Sequence, residues 1–128
     1  MKIVDFIIAG SAKSGTTALY NILDQHPGIF MSAIKETNFF FQNLHPNHAD
    51  MLKLNGQKRI DGWGDENVII ETFEQYQNLF LKASDRQIIG EASPLYLLDS
   101  KIPKQIKTYS PDIKIILILR NPSDVAWA

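Results

Sequence analysis

The sequence contains no cysteine, so it offers neither a disulfide framework nor a thiolate metal site. It also lacks an excess of charge of one sign, because 13 basic residues stand against 14 acidic ones and the formal net charge is -1 at pH 7. A nucleic-acid surface usually needs a marked basic excess, so nucleic acid is not an expected partner. Any anion-binding site must therefore be formed by a few residues at one place, since the protein has no overall basic charge.

No hydrophobic run is long enough to cross a bilayer. The N-terminal run from Ile3 to Ala9 contains Asp5, is far shorter than the ~20 residues that a span requires, and is not followed by a cleavage-type small-residue site. We therefore expect no membrane partner and a cytoplasmic location. The hydrophobic content of 45% over 128 residues is enough for one core, so we expect one globular unit.

Strands and helices alternate along the sequence. Apolar runs predict three strands, a buried one from Ile3 to Ala9, a short one from Gln87 to Gly90 and an unbroken apolar one from Ile113 to Leu119. Apolar residues at helical spacing predict three helices, from about Gly15 to Gln25, Phe73 to Phe80 and Ile102 to Tyr109. This alternation predicts parallel βαβ units with ligand-binding loops at the carboxyl ends of the strands. The polar segment from His45 to Asn67 is expected to be a surface excursion.

A turn with two glycines, Gly10 to Thr17, joins the first predicted strand to the first predicted helix. Backbone N–H groups and the helix dipole favour an anion at such a position, and Lys13 can place a positive charge beside it. In a Walker A loop the lysine directly follows the second glycine, whereas here Lys13 precedes Gly15 by two positions and Thr16 takes that place. The turn predicts a phosphate-binding loop of a different subtype. A plain turn capped by Ser14 is the structural alternative.

The last predicted strand is followed by Arg120, then Asn121 and Pro122. In Mg-dependent P-loop enzymes a later strand typically ends in an aspartate that helps to hold the metal. Arginine instead offers bidentate hydrogen bonds to a phosphate and repels a metal cation. We therefore expect an anion site without a metal. A salt bridge from Arg120 to Glu91, at a neighbouring strand end, is an alternative or additional role.

Four segments, taken together and in this order, give the chain a resemblance to the sulfotransferase superfamily, closest to its bacterial and glycosaminoglycan-type members. The segments are Lys13 to Thr17, His26-Pro27 with Lys35 to Phe40, Gly90 to Tyr96, and Leu119 to Pro122. The first is similar to the family's 5′-phosphosulfate loop and the last to its 3′-phosphate motif. The resemblance runs through nearly all 128 residues. It implies a P-loop NTPase-like, three-layer α/β/α fold with a parallel sheet.

The resemblance implies an enzyme that transfers a sulfuryl group from 3′-phosphoadenosine 5′-phosphosulfate (PAPS) to a hydroxyl or amine of a small-molecule or carbohydrate acceptor, with no metal. It implies that Lys13 stabilises charge on the leaving phosphate and that Glu36 is the candidate general base, the two needs of in-line sulfuryl transfer. The implied donor-binding residues are Ser11, Ala12, Lys13, Ser14, Gly15, Thr16, Thr17 and Arg120. The implied substrate-binding residues are Lys35, Glu91, Ser93 and Tyr96.

Several of these residues have structural alternatives. Glu36 could be a carboxylate at the N-terminus of a helix, or a partner of Lys35. Ser93 could be the N-cap of a helix with Pro94 at its first position, a role compatible with substrate binding. The three phenylalanines at residues 39–41 are expected to lie in the core rather than to form a nucleic-acid stacking platform.

The chain departs from the family pattern at two positions. Ala128 stands where the family usually has a serine, eight positions beyond Arg120, and Ala92 stands where many members have a lysine that faces substrate. The family's downstream half is also absent, so we expect residues 1–128 to be the N-terminal part of a single sulfotransferase domain, truncated after the strand ending at Arg120 and inactive by itself.

Two other functions stay open at this point. One is a Mg-dependent P-loop kinase of small molecules, which the position of Lys13 and the presence of Arg120 disfavour. The other is a non-catalytic remnant that binds PAPS or another nucleotide without transferring a group. Neither the acceptor nor the oligomeric state can be read from the sequence.

Overall fold

Four parallel strands form one sheet in the computed structural model, which describes residues 3–11, 14–34, 36–44, 70 and 72–127. The strands are β1 (Phe6–Gly10), β2 (Ile29–Met31), β3 (Ile88–Ala92) and β4 (Lys114–Leu117). Their spatial order is β2-β3-β1-β4, so β1 lies between β3 and β4. The helices are α1 (Thr16–Asp24), α2 (Phe39–Leu44), α3 (Phe73–Asn78), α4 (Ile102–Tyr109) and α5 (Pro122–Trp127), and a 3-10 helix spans Pro94–Leu98.

The sheet separates two apolar clusters because successive residues of β1 point to opposite faces. Ile7 and Ala9 lie in a large cluster with residues of α2, α3 and α4. Phe6 and Ile8 lie in a smaller cluster on the other face, where Tyr20 of α1 covers the sheet. Helices therefore cover both faces of a parallel sheet, which confirms the predicted three-layer α/β/α fold.

The three predicted strands are present, each with shifted ends, and the predicted helices are present too. β4 ends at Leu117, three residues before Arg120, so the prediction of a strand that continues to Arg120 was too long. The strand β2 was not predicted at all, since it has only three residues and directly follows the helix stop at His26 to Gly28. Phe39 and Phe40 are buried, as the sequence indicated.

Gly90 leaves room for an aromatic ring across the strand pair. It lies opposite Phe6 in the β1–β3 register, and a Cβ built on Gly90 would come within 2.2 Å of the Phe6 ring. Phe6 is only 8% exposed, so the ring has little space into which it could move. A methyl group here would overpack the smaller cluster.

We therefore expect Gly90→Ala to lower the free energy of unfolding by about 1–3 kcal/mol, the usual cost of overpacking a core. Urea unfolding followed by circular dichroism measures this. Gly28→Ala is the matched control, because a Cβ there meets only the side chain of the exposed His26. Equal stability losses in the two variants would contradict the packing assigned to Gly90.

No helix in the described part of the chain is both long and apolar enough to cross a membrane. The segment predicted as a surface excursion, His45 to Asn67, lies outside the described residues, as does Ala128. Its predicted character and the effect of Ala128 stay predictions.

Candidate functional site

Three segments that carry predicted site residues meet at one edge of the sheet. The carboxyl ends of β3, β1 and β4 are adjacent there because these strands are neighbours. The turn after β1 is tied to the segment after β4, since the Ser11 N–H donates to the Ile118 carbonyl over 2.8 Å and the Ile118 N–H donates to Gly10 over 2.9 Å. On the other side, the Glu36 N–H donates to the carbonyl of Ala92, at the end of β3, over 2.7 Å. The topology thus brings the turn, Glu36 and the Arg120 segment together.

The described part of the turn between β1 and α1 ends at a glycine that begins the helix. Gly15 is the N-cap of α1 and has φ 95°, a left-handed conformation that favours glycine. A Cβ built on Gly15 would have no atom of the described residues within 4 Å. Thr16, the first residue of α1, is buried, and Thr17 is exposed. The first backbone N–H groups of α1 have no partner within the helix and lie next to this glycine, so binding of an anion there stays a prediction.

Two serines brace this turn. Their side-chain oxygens, Oγ of Ser11 and Oγ of Ser14, lie 2.6 Å apart. Ser14 was considered as the cap of the first helix, but Gly15 occupies the N-cap position instead. Ala12 and Lys13 lie outside the described residues, so their predicted contacts with the donor stay predictions.

Arg120 lies on the exposed surface beyond β4, two residues after Ile118, which is bonded to the turn. Its alternative partner in the sequence analysis was Glu91. That carboxylate is fully buried, and the hydrogen bonds described for it come from hydroxyl groups of neighbouring side chains. The predicted role of Arg120 in binding the 3′-phosphate stays a prediction.

Glu36 lies in a short connection between β2 and α2. Its φ is 59° and that of Asn38 is 52°, both left-handed conformations that are uncommon for residues other than glycine. α2 begins only at Phe39, so Glu36 is not a carboxylate of that helix, as the alternative interpretation supposed. Its other suggested partner, Lys35, lies outside the described residues, as does the predicted contact of Lys35 with substrate.

Glu91 is the centre of a buried cluster of hydroxyl groups, which we call the Glu91 cluster. Its Oε1 accepts hydrogen bonds from Thr37 Oγ1 over 3.0 Å and from Ser93 Oγ over 2.6 Å. Its Oε2 accepts from the hydroxyl of Tyr76, and from that of Tyr96 over 3.2 Å. A carboxylate has about four acceptor positions, so the hydroxyls satisfy all of them.

Three residues that were predicted to bind substrate are buried in this cluster. Glu91 and Ser93 are 0% exposed and Tyr96 is 3% exposed. Ser93 is the N-cap of the 3-10 helix and Pro94 is its first residue, as the alternative interpretation supposed, but the Ser93 hydroxyl bonds Glu91 and does not cap that helix. Substrate binding by these three residues stays a prediction, and the structure shows them bonded to one another.

Burial controls the protonation of the cluster. It raises the pKa of Glu91 above the ordinary value of 4.5, while the hydrogen bonds from Ser93, Tyr76, Thr37 and Tyr96 act to lower it. Burial, followed by the charge of Glu91, raises the pKa of Tyr76 and of Tyr96 well above 10. Both tyrosines therefore remain hydroxyl donors at neutral pH.

The raised pKa of Glu91 predicts how stability changes with pH. Between pH 4.5 and the pKa of the folded state, the folded chain holds a proton that the unfolded chain releases, so the stability that Glu91 contributes falls as pH rises. We expect the wild-type free energy of unfolding, measured relative to Glu91→Gln, to decrease as pH rises from 4.5 to 8. Urea unfolding of both proteins across this range measures the difference, and a difference that increases with pH would contradict the expectation.

Thr37 has no predicted role, and Tyr76 lies in the helix predicted from Phe73 to Phe80 without a predicted role of its own. The signal that could have revealed the Glu91 cluster is Glu91 itself, a carboxylate within the otherwise apolar strand β3. A buried carboxylate requires hydrogen-bond donors, and in the absence of a cation those donors must be hydroxyls or N–H groups. The sequence does not say which ones.

Among the described residues, no group of three or more histidine, aspartate and glutamate side chains is arranged to hold a metal ion. The absence of a metal in the reaction stays a prediction.

Comparison with known proteins agrees with this architecture. The family described as Sulfotransferase domain matches residues 4–127. A crystal structure of a sulfotransferase from Alicyclobacillus acidocaldarius superposes with a TM-score of 0.75 at 32% sequence identity, covering 99% of this chain and 48% of that one.

Curated relatives resemble the chain at similar levels of identity. The membrane-associated sulfotransferase kil1 of Dictyostelium discoideum is 30% identical over 92% of this chain, and human heparan sulfate glucosamine 3-O-sulfotransferase 6 is 28% identical over 91% of it. The chain covers only 20% and 26% of the lengths of these two proteins. Because the family match extends over almost every residue and the fold agrees with it, the chain belongs to the sulfotransferase domain family.

Proposed function

We propose that this chain provides the donor-binding part of a PAPS-dependent sulfotransferase and that Glu36 acts as the general base. The observation that carries the proposal is the meeting of the β1–α1 turn, Glu36 and the Arg120 segment at the carboxyl edge of β3, β1 and β4. Ligands of open α/β sheets bind at this edge. Family membership supports the same reaction class.

The described residues fit a phosphate-bearing donor. Gly15 keeps the backbone open where α1 begins, and Ser11 and Ser14 place hydroxyls in the same turn. The proposed donor site also includes Ala12, the ammonium of Lys13 and the hydroxyls of Thr16 and Thr17. In this proposal Arg120, which follows the strand paired with β1, takes the 3′-phosphate through bidentate hydrogen bonds.

The proposed chemistry is one in-line displacement. The acceptor oxygen or nitrogen forms a bond to sulfur, and the bond from sulfur to the bridging oxygen breaks. Its electron pair leaves with the 5′-phosphate of 3′-phosphoadenosine 5′-phosphate. Glu36 takes the proton of the acceptor, and Lys13 stabilises the charge that develops on the leaving phosphate. The protein supplies position and charge rather than a covalent intermediate.

The proposed acceptor is a hydroxyl or amine of a small molecule or carbohydrate. Human relatives are named as acting on heparan sulfate, one at the 3-O position of glucosamine and another as an N-sulfotransferase. Ala92, at a position where many family members have a substrate-facing lysine, argues against a highly sulfated acceptor. Amino sugars with a free hydroxyl or amine are the first acceptors to test.

We further propose that residues 1–128 are the N-terminal part of a single sulfotransferase domain. β4 lies at the edge of the described sheet and exposes apolar side chains, with Ile115 46% and Leu117 48% exposed. An apolar cavity of about 340 Å³ opens between α4 and this strand. Such an edge is usually covered, and in the proposal the remainder of the domain covers it. The cytoplasmic location stays a prediction.

A transfer assay tests the proposed function. The complete sulfotransferase domain, of which residues 1–128 are the proposed N-terminal part, is incubated with PAPS labelled with ³⁵S and with heparan sulfate oligosaccharides or their N-desulfated forms, in buffer that contains EDTA. We expect label to appear on the acceptor without a divalent metal. Phosphoryl transfer from ATP that requires magnesium, with no sulfuryl transfer, would overturn the proposal and favour a P-loop kinase.

A further inference from the structure

We propose that Glu91 is a positioning residue for Glu36, acting through a two-step relay of hydrogen bonds that fixes the connection from Glu36 to Phe40. This inference rests on the proposed function for the role of Glu36. It concerns the buried hydroxyls of Thr37, Ser93 and Tyr96, which join the carboxylate of Glu91 to the backbone of that connection.

Three consecutive backbone N–H groups form the first step of the relay. The N–H of Asn38 donates to Ser93 Oγ over 3.1 Å, and the N–H of Phe40 donates to the Tyr96 hydroxyl over 3.4 Å. Between them, the N–H of Phe39 donates to Thr37 Oγ1 over 3.3 Å. Each hydroxyl therefore accepts one backbone hydrogen bond at the start of α2.

The direction of the second step follows from the first. A hydroxyl that accepts from a backbone N–H can still donate its own proton, and a buried hydroxyl must do so to be satisfied. An ionised carboxylate can only accept hydrogen bonds, so Glu91 accepts the hydrogen bonds that these hydroxyls donate. The side chains of Thr37 and Ser93 both donate to its Oε1. Glu91 thereby sets the orientation of the hydroxyls that hold the backbone.

The connection needs such support because its backbone is unfavourable without it. Glu36 and Asn38 both have positive φ, and such conformations persist only when the surroundings enforce them. Glu36 is held on one side by the bond from its N–H to Ala92, and the relay holds Asn38 two residues later. The bond to Ala92 and the relay together fix the backbone on both sides of Thr37, and in this proposal they thereby set the direction in which the Glu36 side chain leaves the chain.

Substitutions at Thr37 separate positioning from packing. Thr37→Val keeps the shape of the side chain and removes the hydroxyl, whereas Thr37→Ser keeps the hydroxyl and removes a methyl group. Tyr76→Phe is a matched control, because the Tyr76 hydroxyl bonds the same carboxylate but accepts none of the three backbone hydrogen bonds. Ser93→Ala removes a second link of the relay.

Amide hydrogen exchange and the transfer assay are the two measurements. We expect Thr37→Val and Ser93→Ala to lose exchange protection at residues 38–40 and to lower kcat by about 10- to 100-fold, a typical cost of a misplaced catalytic group. For Thr37→Val, binding of 3′-phosphoadenosine 5′-phosphate and KM for the acceptor should stay near wild type. Thr37→Ser and Tyr76→Phe should keep both the protection and the kcat.

Two results would count against distinct parts of the account. If Thr37→Val retains protection at residues 38–40 and a kcat equal to that of Thr37→Ser, Glu91 does not position this connection, and the inference is overturned whatever Glu36 does. If Glu36→Gln transfers sulfuryl groups at the wild-type rate, the proposed general base is wrong. The exchange pattern then still decides whether the relay holds the segment.

Discussion

Glu36→Gln is expected to lower kcat for sulfuryl transfer by about 10²- to 10⁴-fold, the usual contribution of a general base. The amide keeps the size of the side chain but cannot take a proton from the acceptor. Because the base acts on the acceptor, the affinity for 3′-phosphoadenosine 5′-phosphate should not change. Steady-state kinetics with labelled PAPS and calorimetric titration of the donor product provide the two numbers.

Glu74→Gln is the matched control for this experiment. Glu74 is an exposed carboxylate in the first turn of α3, remote in sequence from every segment of the proposed site. It should retain the wild-type kcat. A Glu36→Gln enzyme as active as the Glu74→Gln enzyme would show that proton transfer to residue 36 does not limit the reaction, and the general base would have to be sought elsewhere.

Lys13→Ala is expected to lower kcat by about 10²- to 10³-fold, as removal of one electrostatic contact to a developing charge commonly does. Lys13 belongs to the loop that the proposal places beside the transferred group, so its charge is most important when the bridging oxygen of the donor leaves. The loss in kcat should therefore exceed the loss in affinity for the donor product. The same kinetic and calorimetric experiments measure both.

An exposed lysine of α4 provides the control for charge. Lys104→Ala removes the same positive charge from a helix surface and should leave kcat and donor affinity unchanged. If Lys13→Ala weakens donor binding but has the same kcat as wild type on saturation with donor, Lys13 binds the ground state only. The proposed stabilisation of the leaving phosphate would then be wrong.

Much of the fold could be predicted because its signals are local. The apolar run that contains β1 and the helical spacing of α1 each involve fewer than a dozen neighbouring residues. The start of a helix at Ser93-Pro94 was also predictable, because proline fits the first helical position. The alternation of strands and helices predicts parallel strands, and the carboxyl ends of parallel strands lie at the same edge of a sheet. The turn after β1 and the segment after β4 could therefore be placed together.

The remainder depends on contacts between distant residues. Thr37 meets Glu91 across 54 positions of sequence, and no local pattern around Thr37 indicates that its hydroxyl is buried against a carboxylate. The positive φ of Glu36 likewise has no local signal, since the residue is not glycine. β2 was missed because three apolar residues after a helix stop form a strand only when a neighbour such as β3 pairs with them. These features arise from tertiary structure, which overrides local propensity.

A calorimetric titration of the protein with 3′-phosphoadenosine 5′-phosphate in magnesium-free buffer, compared with ATP and magnesium, decides which nucleotide this edge of the sheet binds. If the edge of the sheet that includes Gly15 and Arg120 is a PAPS site, the donor product binds without metal and more tightly than ATP with magnesium, and Lys13→Ala weakens that binding. Tighter binding of ATP with magnesium would contradict the account.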